Sequence, residues 1–76
     1  MDAPMDPSSE RHRDAAKAHG QAAFHHAEAA AFWEARGNTR CAELARRGAA
    51  LEKELAQLEI EWAEVMEDER AEPSDA

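Results

Sequence analysis

Three histidines, His12, His19 and His26, fall one heptad apart, with Trp33 next in the series. These are the residues whose type and spacing come nearest to chemistry. Imidazoles can hold a transition metal or the iron of a haem. On one helix, however, residues seven apart are separated by ~10.5 Å along the axis. Ligand pairs on a single helix need a spacing of three or four. His19 and His26 could therefore serve one metal only if a second copy added its own histidines, with Glu28 or Cys41 joining. His25 and Glu28 do have the closer spacing, but they lie on a polar stripe. The simpler reading makes the series half-buried spacers whose polar tips reach water.

Other chemistry is thinly supplied. Cys41 is the only cysteine. It falls in an apolar series, where a small buried residue is expected. Glu52, Glu54, Glu59 and Glu61 read as a solvated face. No nucleophile, base and orienting group can be assembled from the spacing, and there is no glycine-rich phosphate loop. No enzyme is expected, and no cofactor except under the metal or haem reading.

The charge balance narrows the partners. The net charge is −8. From Leu51 onward the acids Glu52, Glu54, Glu59, Glu61, Glu64, Glu67, Asp68, Glu69, Glu72 and Asp75 stand against Lys53 and Arg70. Nucleic-acid binding calls for a basic face, and anionic lipid would be repelled. No apolar run reaches the ~20 residues of a membrane span. The first residues, with Pro4, Pro7 and two aspartates, lack a signal peptide's basic and apolar regions. A soluble cytoplasmic protein with no nucleic-acid or membrane partner is the expectation.

The elements that must position these residues are helices. Asp6-Pro7-Ser8-Ser9-Glu10 reads as a helix start, capped by Asp6 or Ser8. A first helix is expected over about 7–36. Its polar stripe is Glu10, Asp14, Lys17, Gln21, His25 and Glu28, and its other face is mostly alanine. Arg36-Gly37-Asn38-Thr39 reads as a turn, with Gly37 closing one helix and Asn38 or Thr39 capping the next. A second helix is expected over about 39–69. Residues 1–5 and the acidic tail 71–76 are expected to be disordered. The result is an all-α, two-helix antiparallel hairpin over residues 6–70.

The second helix carries two apolar tracks. Cys41, Leu44, Gly48, Leu51, Leu55, Leu58, Trp62 and Val65 alternate steps of three and four, as a coiled-coil seam does. Ala42, Ala49, Ala56 and Ala63 follow one residue behind. If the chain pivots near Gly37, residue i lies level with residue 75 − i. The large members of the histidine series then meet the alanine track, and Arg11 and Arg13 lie beside Glu61 and Glu64. The bulky track stays uncovered. Alanine makes up 19 of the 76 residues, so the core of one hairpin is thin and oligomerisation is a natural support. The hairpin is expected to dimerise into a four-helix bundle or to bind a helical partner. The expected interface is Leu44, Leu51, Leu55, Leu58, Trp62 and Val65. Two functions follow: a small non-enzymatic protein–protein interaction module, or a metal- or haem-binding bundle using His12, His19 and His26.

Overall fold

In a computed structural model, residues 7–71 form two helices joined by a tight turn. Helix α1 spans Pro7–Ala35 and helix α2 spans Thr39–Ala71. The first ends one residue before the expected boundary and the second runs two residues past it. The expected coil over 1–5, the Asp6 cap and residues 72–76 of the tail lie outside the described residues.

The turn follows from its residues. Gly37 takes φ of 77°, a left-handed conformation that costs glycine little. The Gly37 N–H then donates to the Glu34 carbonyl at 3.0 Å, and the Asn38 N–H to the Trp33 carbonyl at 2.9 Å. This pair of bonds closes the free carbonyls of α1. Asn38 opens α2: its side-chain oxygen accepts from the Cys41 N–H at 3.0 Å. Of the two expected caps, Asn38 is the one used. Three residues cannot carry the chain far, so the helices return side by side, antiparallel.

The packed seam has heptad spacing on both helices. On α1 it is Ser9, His12, Ala16, His19, Ala23, His26, Ala30 and Trp33, all buried or half-buried. On α2 it is Ala42, Ala45, Ala49, Glu52, Ala56, Glu59, Ala63 and Met66, again all buried or half-buried. The alanine track does face α1, and Ala42 and Ala63 are 0% exposed. The fully buried side chains are small, and the largest of them is Ser9. Each methyl-sized group removed from water contributes only about 0.8 kcal/mol. Short side chains let the helices approach closely but yield little hydrophobic stabilisation.

Candidate functional site

The histidines sit in that seam, and the tips of His12 and His19 do not run free to water. His12 donates from Nδ1 to Glu59 Oε1 at 2.5 Å, and His19 from Nδ1 to Glu52 Oε1 at 2.6 Å. Seven residues on along each helix, in opposite directions, the same pair recurs. His26 brings Nε2 to 3.9 Å from the second oxygen of Glu52. Glu52 and Glu59 are therefore not a solvated face: both are half-buried members of the seam. The physical reason is that a half-buried imidazole N–H needs an acceptor, and carboxylates three residues on from Ala49 and Ala56 reach it. The signal was present in the sequence. An alanine every seventh residue implies a second seam position three residues later, which is where Glu52 and Glu59 stand.

Around these pairs the packing is specific. The His12 ring stacks on Trp62, with centroids 4.4 Å apart and planes 18° from parallel. The His26 ring lies over Gly48, so close that an added Cβ there would sit 3.3 Å from its Cγ. Arg13 does not reach Glu61 or Glu64 but grips Glu67 with two bonds, from Nε at 3.0 Å and from an Nη at 2.7 Å. Its guanidinium fork suits a carboxylate in this way. The hydrogen bonds from Arg13 hold the Glu67 carboxyl below the usual carboxylate range, and Ser9 adds another. The same contact raises the Arg13 guanidinium further.

The leucine row is the second feature. Leu44 is 61% exposed, Leu51 57%, Leu58 49%, Trp62 51% and Val65 52%, so the hairpin leaves the row uncovered. Leu55 is the most sheltered at 39%. The row precedes the packed seam by one residue, or about 100° round the helix. For two right-handed helices running antiparallel, residues one step before the seam point to the same side of the pair. On α1 those are Arg11, Ala15, Ala18, Ala22, His25, Ala29 and Phe32. One broad side of the hairpin thus carries the leucine row beside a row of alanines. The opposite side carries the Arg13–Glu67 pair, an Arg46–Glu34 contact at 3.3 Å, and a groove lined by Gly20, Phe24, Lys53 and Ile60.

For metal ligation, His19 and His26 both lean toward Glu52, but the described residues contain no cluster of three or more His, Cys, Asp or Glu placed to hold an ion. Cys41 is half-buried with a free thiol. No described helix is long and apolar enough to cross a membrane. No protein-family model, curated protein or solved structure matches the chain.

Proposed function

We propose that this chain is a small, non-enzymatic, cytoplasmic interaction module whose working surface is the leucine row of α2. The observation that carries it is the placement of that row. α2 has one contact face spent on α1 and a second, bulkier one about 100° away and open. Helices in a four-helix bundle touch two neighbours at about that angle. A contiguous exposed apolar row of this length usually marks an interface. Two further helices laid on this side, with coiled-coil-like packing, would complete a bundle and supply the hydrophobic burial that the alanine seam lacks.

Sedimentation tests this. The expected mass at micromolar concentration exceeds the 8.4 kDa of one chain. Leu55→Glu should dissociate the assembly and leave a helical hairpin. A stable, well-folded 8.4 kDa species indifferent to Leu55→Glu would sink the proposal.

One observation favours the second reading, a metal- or haem-binding bundle. His12 and His19 each give Nδ1–H to a carboxylate, which is how metal-bound histidines are usually oriented, with Nε2 left as the donor atom. The missing ligands would have to come from another chain. Elemental analysis of protein purified without a metal-affinity tag separates the two readings.

A further inference from the structure

The leucine row is complementary to itself. Resting on the reading of that row as an assembly surface, we propose that its occupant is a second copy of this chain. In this arrangement α2 lies antiparallel on the partner's α2 about a two-fold axis at the level of Lys53.

The first argument is register. Antiparallel seams pair the two classes of heptad position with each other. Centred at Lys53, Cys41 meets the partner's Val65, Leu44 meets the partner's Trp62, Gly48 meets the partner's Leu58, and Leu51 meets the partner's Leu55. Every member of the row has a mate, and Cys41 faces a larger residue, as close packing prefers; at Gly48 the space a side chain would take is filled by the chain's own His26 ring. A notch lined by Arg40, Glu43, Leu44 and Arg47 lies where the partner's Trp62 would seat. Arginine is a favourable neighbour for an indole face.

The second argument is charge. The residues flanking the row on its outer edge are Arg40, Arg47, Glu54, Glu61 and Asp68, basic in the first half and acidic in the second. All are exposed, and Arg40, Arg47 and Asp68 make no ion pair among the described residues. Antiparallel pairing brings Arg47 within two residues, about 3 Å along the axis, of the partner's Glu61, and Arg40 equally near the partner's Asp68. Symmetry makes four such pairs. Glu54 lies as near to its own mate, an opposed contact. A parallel pairing would instead stack the acidic ends, Glu61, Glu64, Asp68 and Glu69, on one another. Laying α2 on the partner's α1 would set Glu61 against Asp14 and Arg47 against Glu28, so that repulsion offsets attraction. The two-fold arrangement also places the alanine row of α1 on the partner's alanine row, where small side chains allow the four helices to close.

A charge swap tests the pairing. Arg47→Glu and Glu61→Arg should each raise the dimer dissociation constant roughly tenfold, because two symmetric attractions become repulsions. The double variant should return to within about threefold of the wild type. Singles without effect, or losses that add in the double variant, overturn the antiparallel pairing. The face itself stands in that case if Leu55→Glu still dissociates the assembly. A chain that stays monomeric yet binds another helical protein overturns the second copy. The Val65→Cys variant gives an independent check with the native Cys41. Air oxidation should yield a covalent dimer whose bridge joins position 41 of one chain to position 65 of the other. Any other bridge, or none, overturns the register.

Discussion

The two faces of α2 solve opposite problems with the same heptad spacing. Toward α1 the helix presents Ala42, Ala45, Ala49, Ala56 and Ala63, with Glu52 and Glu59 between them. On its open side it presents Leu44, Leu51, Leu55, Leu58, Trp62 and Val65, with Trp62 also stacked on His12 of α1. The inner face has a partner tethered three residues away, so closing it costs little entropy. It can be held by close approach, helix propensity and a few polar pairs. The outer face has no tethered neighbour. In the proposed assembly, association there must offset the loss of translational and rotational freedom, which calls for larger buried side chains. On that proposal, residue size follows the entropy that each face must overcome. The inner face gains direction instead. A carboxylate one step out of place would leave His12 or His19 without its acceptor, so the polar pairs fix the register that alanines alone leave slack.

This comparison is broken most readily at the outer face. Leu58→Ala is expected to cost ~2–5 kcal/mol in the assembled form, as a buried leucine does. Its effect on the dissociated hairpin should be near zero, since Leu58 is 49% exposed there. Thermal melts over a hundredfold range of concentration check this. A loss of stability that does not vary with concentration would mean that Leu58 works within the hairpin.

The inner face is sensitive to the opposite change. Ala63 is 0% exposed against α1, so Ala63→Leu must push the helices apart. A cost of ~1–3 kcal/mol is expected. Ala50→Leu, at an exposed position one step off the seam, should be nearly silent. Equal melting temperatures for the two variants would contradict the division of the helix into two faces.

The polar pairs come next in size. His12→Ala combined with Glu59→Ala should show a coupling energy of about 1 kcal/mol, the net worth of one hydrogen bond. The cycle distinguishes pairing from packing, because His12 also stacks on Trp62. A coupling of zero would reduce His12 to a spacer after all.

Much of this was legible in residue spacing. The two helices, the Gly37 turn and the two tracks of α2 follow from hydrophobic period and from glycine's freedom at positive φ. The exposure of the leucine row follows by elimination, since one helix cannot cover two faces 100° apart. The polar pairs were not read. Glutamate on a helix is usually solvated, and a count of apolar residues alone passes over Glu52 and Glu59. The alanine period marks both as seam positions, and the imidazoles opposite are what draw their carboxylates inward. Arg13 takes Glu67 rather than the carboxylates level with it for a related reason. Long side chains reach several residues along the axis, so its level with Glu61 and Glu64 did not decide which carboxylate it takes. Phe24 and Phe32 had no clear place on the period, and both lie exposed, Phe32 beneath the Arg36 guanidinium at 4.1 Å.

The smallest expected effect lies at the edge of the inner seam. Glu67 is held below the usual carboxylate range by the hydrogen bonds from Arg13. In the unfolded chain its value returns to about 4.3. Between the folded and unfolded values the unfolded chain binds more protons, so stability rises with pH in that window. The contribution is complete above about pH 4.3 and is lost as pH falls through the folded value. Both side chains are about a third exposed, so water and salt screen the pair and the effect is slight. Other carboxylates titrate in the same window, and those that repel one another act in the opposite sense. The informative quantity is therefore the difference between the wild type and Glu67→Gln, followed by circular dichroism from pH 6 to 2. The variant should lose part of the acid limb and match the wild type's slope elsewhere. Added salt should shrink that difference, whereas the seam alanines should not respond to it. If the two acid limbs superimpose at low salt, the Arg13–Glu67 contact contributes nothing to closing the hairpin. The inner face would then rest on its alanines and histidine pairs alone.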